Sequence, residues 1–560
     1  MTPAPTTSNK GPKKSLDRSR LPLVIAVVGH RDPVVSEIQG LRQAFKNDLQ
    51  ALMEELPSTP LLMLNGLACG MDSEAAEVFL DLVAEQHKLN PRSPEHKLVA
   101  ALPKKEENYR NDFASGLERE RFENLLSRST VVLDPSNCSN LRGAGDATEE
   151  LPAPDCYSKQ GMFLVRHCFL LFAFYNGCET LEVGGTSQSV AMQKGEVHSM
   201  FLNVDEVLAT REPSALIEYD TPREKNGDTC NQEKSKPQYW MGNQKQKKLK
   251  DLLVIPKKID GINRESANPS LTLSPWAPLP SAMWTFVDSK ASASKRLYVL
   301  WGLTLLGVGW LISISLSQPP WQSFGLLMIF AALVLFPSAK RGPKQAFIEY
   351  RCMAEALPVQ DFWIGLGVDV DAADLFHSQL HLELGWIRTV LRARKVQLMT
   401  RPNQAPNPIE TTALTAESWI ANQINWLDKR IIEQKLLDRL LNRLIQASLV
   451  TTLVLSLLAI APVLRAPLMW FTEGGIATFV ALLACRQLLG YEETNARYER
   501  SRDQFSRGLK AIEKAKTTSS DQTQKVQRLR CAFEAVGREK LDELNDWVAD
   551  QLKRSYNPGG

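Results

Sequence analysis

The sequence predicts an α/β head joined to an all-α membrane domain, and two observations support that fold class. Over residues 21–204, short apolar runs rich in β-branched residues alternate with helical patterns, which is typical of a doubly wound parallel sheet. Four long apolar runs follow, at residues 297–316, 321–339, 444–464 and 468–491. A helix needs about 20 residues to cross a hydrocarbon core. We therefore expect four transmembrane helices, together with long cytoplasmic helices.

The elements of the head can be placed in order. Apolar runs predict strands at residues 21–29, 61–64, 98–102, 167–175 and 201–204. Helical spacing of apolar residues predicts helices over residues 34–56 and 73–85, and a further helix from Ser187. Residues 134–160 are rich in Ser, Asn, Gly and Pro, so we expect an exposed insertion there.

Short links join the apolar runs in pairs, which predicts two helical hairpins. The links are residues 317–320 and residues 465–467. Basic residues flank the other ends of both hairpins, at Lys295, Arg296, Lys340, Arg341, Lys344, Arg439, Arg443, Arg497 and Arg500. Because positive residues stay in the cytoplasm, we expect the head and both termini there. The alternative is that the apolar runs are core helices of a soluble protein.

Composition narrows the classes of function. Sixty-six basic and 63 acidic residues leave a net charge of +3, which gives no argument for a nucleic-acid partner. The nine cysteines are scattered without a CxxC or Cys/His cluster, so we expect neither a disulfide framework nor a metal site. Residues 1–20 are polar and lack an apolar stretch, and they are predicted to form a disordered tail and not a signal peptide.

Glycines follow the predicted strands of the head, where an open parallel sheet binds its ligands. They lie at Gly29, at Gly66 and Gly70, and at Gly184 and Gly185. Glycine lets a ligand approach the backbone closely, and N–H groups at a helix start attract phosphate. Arg31 could add a guanidinium and Thr186 a hydroxyl donor. The alternative for each glycine is an ordinary tight turn, and His30 alone is weak evidence for a site.

Four sequence segments of the head resemble a known family. They are residues 28–31 (VGHR), 65–76 (NGLACGMDSEAA), 102–113 (LPKKEENYRNDF) and 184–186 (GGT), which occur in the order seen in bacterial SLOG domains. These are Rossmann-like domains related to DprA and to the LOG enzymes. The resemblance implies a nucleotide or nucleotide-derived ligand, bound at Gly29, His30, Arg31, Gly66, Gly70, Asp72, Gly184, Gly185 and Thr186. LOG enzymes are nucleotide phosphoribohydrolases with a glutamate after their glycine-rich motif. Residues 184–190 (GGTSQSV) have no glutamate there, which favours a sensor over a hydrolase.

The second hairpin and the charged residues 492–516 resemble a SLATT module, a two-helix membrane effector associated with SLOG domains. Glu473 and Arg486 are the ionisable residues of the fourth apolar run, about 20 Å apart along a helix. They could reach the two membrane faces as isolated side chains, or lie at the two mouths of a pore in a homo-oligomer. Gly474 and Gly475 would allow close helix contact there.

These observations predict seven regions. They are a tail (1–20), a SLOG-like nucleotide-binding domain (21–210), a polar linker (211–290), a first transmembrane hairpin (291–345), a cytoplasmic helical region (346–435), a second transmembrane hairpin (436–491) and C-terminal cytoplasmic helices (492–560). The expected function is that of a sensor in the bacterial inner membrane, coupling a nucleotide-derived signal to a pore or permeabilising assembly in anti-phage defence. The alternatives are a membrane-anchored phosphoribohydrolase and a recruiting scaffold.

Overall fold

The computed structural model describes residues 20–114, 116–138, 141, 153–178, 183–195, 214–224, 236–267, 282–316, 321–377, 380–400, 408–517 and 521–556. The chain divides into two compact units. The head unit consists of Met1–Leu273, Pro280–Met283 and His377–Pro402, and the helical unit of Ser274–Leu279, Trp284–Phe376 and Asn403–Gly560.

The head unit is built on a mixed sheet of eight strands. They are β1 (Leu23–Gly29), β2 (Leu61–Asn65), β3 (Lys97–Ala101), β4 (Val131–Leu133), β5 (Leu170–Tyr175), β6 (Ala215–Asp220), β7 (Gln238–Met241) and β8 (Gln244–Gln246). Their order across the sheet is β4-β3-β2-β1-β5-β6-β7-β8. The first six are parallel, and β7 and β8 extend the sheet in antiparallel fashion. The sheet confirms the predicted α/β class of the head.

Helices cover both faces of this sheet. They are α1 (Val35–Glu55), α2 (Met71–Leu89), α3 (Glu106–Tyr109), α4 (Gly116–Arg128), α5 (Ala153–His167), α6 (Thr186–Lys194) and α7 (Val254–Ser266). The central strands are apolar on both sides because neither side meets water. On one face Phe45 of α1 packs edge-on against Phe172 of β5, with ring centroids 5.0 Å apart. On the other face Val24 and Ala26 of β1 share a core with Phe163 and Leu164 of α5.

Two segments of the head lie outside the range that the sequence assigned to it. Strands β6, β7 and β8 fall within residues 211–290, the predicted polar linker. Helix α10 (His381–Met399) falls within the predicted cytoplasmic helical region, yet its Ala393 and Val396 belong to the core of the head. Helix α5 occupies part of the predicted exposed insertion, because its apolar side covers the sheet. The strand predicted at residues 201–204 lies outside the described residues.

The helical unit consists of long helices. They are α8 (Ala282–Leu316), α9 (Gln322–Leu366), α11 (Pro408–Leu458), α12 (Pro462–Leu489), α13 (Tyr491–Thr517) and α14 (Gln522–Tyr556). The charged halves form a bundle, in which Arg502 of α13 pairs with Asp428 of α11 at 2.6 Å. In the same bundle the Trp363 indole of α9 donates to the carbonyl of Phe533 in α14 at 3.0 Å.

Three of these helices are long and apolar enough to cross a membrane, within Met283–Leu316, Ile409–Leu458 and Leu468–Thr517. The prediction of four is therefore wrong for the described residues. The difference lies at residues 321–339, where the described side chains end at Ile329. From Gln322 onward the run lies within α9, and the side chains of residues 330–341 are outside the described ones.

The turn of the second hairpin also differs from the prediction. Residues 465–467 lie inside α12, which begins at Pro462. The turn lies at residues 459–461 instead. The reason is that proline suits the first position of a helix, where its missing N–H is not needed and its fixed φ is already helical. The predicted link at residues 317–320 lies outside the described residues.

Candidate functional site

The chain of the head changes direction across the sheet at β1, and the region between the loops after β1 and β5 is called the crevice below. From β1 the chain adds β2, β3 and β4 on one side, and then returns to place β5 on the other side of β1. The loops that follow β1 and β5 therefore diverge, and such a point is where open α/β sheets bind their ligands. His30 and Arg31 follow β1 directly, and Asn176 follows β5.

His30 connects the elements around this crevice. Its backbone N–H donates to Phe174 of β5 at 3.2 Å, and its carbonyl accepts from Met71 of α2 at 3.1 Å. The backbone N–H of Asn176 donates to Nε2 of the His30 ring at 3.2 Å. His30 is 9 % exposed, so its visible role is to hold β1, β5 and the start of α2 together.

Arg31 is exposed and faces an aromatic and basic cluster. Its guanidinium carbon lies 5.0 Å from the centroid of the Tyr157 ring, and the Lys104 ammonium lies 5.5 Å from the same centroid. The Tyr157 hydroxyl donates to Asp112, whose carboxylate also pairs with Lys104 at 2.9 Å. Although Arg31 is exposed overall, partial desolvation disfavours its charged form, but Tyr109, Tyr157 and Asp72 outweigh this effect and leave its pKa raised. Two cations thus flank one tyrosine ring at the crevice.

Asp72 is the buried carboxyl of this site. It is 9 % exposed, and its Oδ1 has no hydrogen-bond partner among the described residues. Burial raises the pKa of Asp72 to about 7, although the charge of Arg31 and the backbone at Gly29 and Ala68 oppose the rise. Near neutral pH this carboxyl can therefore both hold and release a proton.

The first three candidate glycines allow protein segments to approach one another. A Cβ added to Gly29 would lie 2.6 Å from Cβ of Met71, and one added to Gly66 would collide with the Gln160 amide of α5. Gly70 has a φ of +81°, and an added Cβ would lie 2.6 Å from the Arg31 carbonyl oxygen. These contacts bring the ends of β1 and β2 and the start of α2 together, and whether a ligand also approaches them remains a prediction.

The third glycine-bearing loop lies beside the same tyrosine. An added Cβ on Gly184 would lie 2.7 Å from Cβ of Tyr157. Gly185 precedes α6, and Thr186 is its first residue. The first turn of α6 carries no carboxylate, whereas that of α2 carries Asp72 and Glu74. Because acidic side chains already occupy the start of α2, the start of α6 is the better place for an anion.

Helix α5 brings the three loops together, and the sequence alone did not identify it. Tyr157 contacts the loops after β1 and before α6, and Gln160 donates to the carbonyl of Ala101 in β3. Tyr109 of α3 adds a second ring, 6.5 Å from Tyr157. Lys104 and Tyr109 lie in the segment 102–113 that resembles the family, which is the one signal that could have found them.

Other chemistries find less support here. Burial and the neighbouring Glu118 raise the pKa of Cys69 to about 11, so its thiol is not activated as a nucleophile. Among the described residues, no group of three or more His, Cys, Asp or Glu side chains converges in a way that could hold a metal ion.

The four candidate residues of the helical unit, two glycines and two charged residues, differ in their contacts. A Cβ added to Gly475 would lie 3.2 Å from Cβ of Thr452 in α11 and closer still to its hydroxyl, whereas one added to Gly474 would meet nothing within 4 Å. Arg486 pairs with Asp438 of α11 and with Glu492 of α13, each at 3.2 Å. Glu473 has a buried carboxylate oxygen with no hydrogen-bond partner among the described residues.

Comparison with known proteins finds no matching family model and no matching curated protein.

Proposed function

We propose that the head is a Rossmann-like sensor of a phosphate-bearing, nucleotide-derived ligand, and that it controls a membrane effector formed by the apolar helices. The observation that carries this proposal is the position of Arg31 and Lys104 around Tyr157 at the point where the sheet changes direction. An arginine fork and a lysine suit phosphate oxygens, and a tyrosine ring can stack on a base.

The ligand would enter a site that is already partly neutralised. Lys104 pairs with Asp112 at 2.9 Å, so a phosphate must compete with that carboxylate. Arg31 has no such carboxylate partner within salt-bridge distance among the described ion pairs, and it is exposed. We therefore expect Arg31 to contribute most of the attraction, helped by the N–H groups at the start of α6.

Retention of small molecules by the purified full-length chain tests this site. We expect mass spectrometry to find a nucleotide-type molecule released from the native chain and from Arg92→Ala, and to find it strongly depleted in Arg31→Ala. Arg92 is a suitable control because it is exposed in the loop after α2. Equal retention by all three proteins would place the site elsewhere.

The effector part of the proposal concerns a homo-oligomer whose apolar helices depolarise the bacterial inner membrane during phage infection. It is supported by three membrane-length helices and by the position-specific contacts of Gly475 and Arg486. Replacing residues 436–491 by an unrelated apolar hairpin should keep membrane location and ligand retention but abolish depolarisation, read with a voltage-sensitive dye. A chimera that still depolarises cells would favour the recruiting scaffold.

A second candidate function is hydrolysis of the ligand, and the properties of Asp72 favour it. A carboxyl with a pKa raised to about 7 can act as a general acid or base at neutral pH. If the head is a phosphoribohydrolase, the native chain releases free base from nucleoside monophosphates over many turnovers, and Asp72→Asn does not. Absence of free base with the native chain would leave the sensor as the better description.

A further inference from the structure

The helical unit contains a cavity of about 1730 Å³ beside its membrane-length helices. Residues of α8, α9, α11, α12, α13 and α14 line it. It extends from the apolar side chains of Leu306 and Leu483 to the charged side chains of Arg351 and Glu543. The cavity therefore joins the apolar part of the unit to its polar bundle.

The charges around this cavity favour an anion. Seven basic and five acidic side chains line it. Two of the carboxylates are held by neighbouring cations, since Glu355 pairs with Lys540 at 3.1 Å and with Arg351, and Glu543 pairs with Lys540 at 3.1 Å. Burial opposes ionisation of Glu355, but Arg351 and Lys540 outweigh it and lower its pKa to about 2. Glu543 also pairs with Arg497 at 3.6 Å, so these two carboxylates already pair with Lys540, Arg351 and Arg497.

Lys295 and Arg296 are the cations of the wall for which the described residues provide no ion pair. Both are exposed and line the cavity, and the Lys295 ammonium lies 6.0 Å from the centroid of the Phe347 ring. They lie at the polar start of the apolar part of α8. Tyr298, Trp426 and Tyr498 also line the cavity, and aromatic side chains of this kind are typical of a membrane–water interface.

An independent observation comes from Ser501 of α13, which lines the cavity. Ser501 is 3 % exposed, and its hydroxyl has no hydrogen-bond partner among the described residues. The side-chain oxygen of Gln434 in α11 is also buried without a hydrogen-bond partner among the described residues, and Gln434 lines the same cavity. Buried polar atoms without partners are costly, and a bound molecule is one way in which they are satisfied.

We propose that this cavity binds an acidic phospholipid, with its phosphate on Lys295 and Arg296, its polar headgroup near Ser501, and its acyl chains along Leu306 and Leu483. A phosphodiester supplies the negative charge that the two cations need and acceptor oxygens for a hydroxyl. The apolar end of the cavity suits acyl chains and offers nothing to a soluble phosphate compound. This site is separate from the crevice of the head and does not depend on the function proposed for it.

Native mass spectrometry of the full-length chain, released from bilayers of phosphatidylcholine with phosphatidylglycerol, tests the proposal. We expect phosphatidylglycerol to remain bound to the native chain, and the double variant K295Q/R296Q to retain roughly tenfold less or lower still. The control is R500Q/K510Q, which removes the same charge from exposed positions of α13 that do not line the cavity. The control should retain lipid as the native chain does.

Ser501→Ala separates binding from folding. Without lipid, removal of an unpartnered buried hydroxyl should leave the melting temperature unchanged or raise it. With phosphatidylglycerol, the lipid-induced rise in melting temperature should be smaller than in the native chain. Ser506→Ala is the control, because the Ser506 hydroxyl already donates to the carbonyl of Arg502.

The outcomes are distinct. Loss of phosphatidylglycerol in K295Q/R296Q alone supports the proposal. If the native chain retains phosphatidylglycerol and phosphatidylcholine equally, or if the two double variants behave alike, the proposal is wrong. If added inorganic phosphate or ATP displaces phosphatidylglycerol and protects the native chain as well as the lipid does, the site binds soluble phosphate compounds and the lipid assignment is wrong.

Discussion

Gly70 shows how one residue fixes the geometry of the crevice. Its φ of +81° and the Arg31 carbonyl, 2.6 Å from an added Cβ, leave no room for a side chain. Gly70→Ala should destabilise the head by about 2 kcal/mol or more. Gly40→Ala, in the second turn of α1 with nothing within 4 Å of the added Cβ, should stabilise it by about 0.5–1 kcal/mol. Thermal unfolding of the two variants measures both changes, and equal melting temperatures would contradict the prediction.

Asp72 should make the stability of the head depend on pH. Its pKa is raised from 3.8 to about 7 on folding. Below pH 3.8 Asp72 is protonated in both the folded and the unfolded chain, so it does not lower the free energy of unfolding. As the pH rises from 3.8 towards 7, the unfolded chain loses this proton first, and the free energy of unfolding falls by up to about 4 kcal/mol. Asp72→Asn removes this titration, so its melting temperature relative to the native chain should rise between pH 4 and pH 8. A constant difference over that range would show that Asp72 is not buried as described.

The sequence revealed only part of the site, and the reason is physical. Glycines after strands can be recognised because a sheet must turn there, and Gly29, Gly66 and Gly70 do lie at such turns. Tyr157 could not be found in this way, because its role depends on how α5 packs across β1. Its neighbourhood is also rich in turn-forming residues, which favoured a loop over residues 134–160.

The contact between α11 and α12 is an example at the scale of elements. Gly475 lies against Thr452, whereas its neighbour Gly474 faces open space. Gly475→Leu should force the two helices apart and lower the melting temperature in detergent by several degrees. Gly474→Leu is the matched control and should leave the melting temperature near that of the native chain. Equal loss in both variants would mean that the helices do not meet at this face.

Strands β6 to β8 show where prediction of elements failed. Strand β6 is largely apolar and pairs with β5, but β7 and β8 are only four and three residues long, with the sequences QYWM and QKQ. Edge strands need no apolar run, since one side faces solvent. Long apolar helices were easier to predict, because a run of about 20 uncharged residues matches the thickness of a hydrocarbon core and exceeds the length of a buried strand.

The whole molecule exposes far more apolar surface on its long helices than a soluble protein tolerates. Val463 is 88 % exposed, Ile460 75 % and Leu457 67 %, all on or beside the turn between α11 and α12. Exposed apolar patches of this extent mark contact with a membrane or a partner. We therefore expect the chain to stay in the membrane fraction after washing with alkaline carbonate.

A pair of arginine substitutions on α11 tests this expectation. Leu453 and Leu414 are 55 % and 56 % exposed, but Leu453 lies in the apolar run 444–464 and Leu414 near the start of the helix. An arginine at the centre of a membrane helix costs about 2.5–3.5 kcal/mol. Leu453→Arg should therefore reduce membrane insertion, measured by fractionation, and Leu414→Arg should not. A carbonate-soluble native chain would instead indicate core helices of a soluble assembly.

Helix α11 runs from Pro408 to Leu458, and after its first residue it contains neither proline nor glycine. Such a helix bends only slightly, so it moves as a single rod. The chain that returns beside it does not, since Gly490, with a φ of +55°, separates α12 from α13. If the charged bundle twisted, α11 would follow as one unit, whereas α12 and α13 could move separately. Helices α11 and α12 would then slide past one another. Such sliding would disturb the contact between Gly475 and Thr452, where there is no room for even one added carbon.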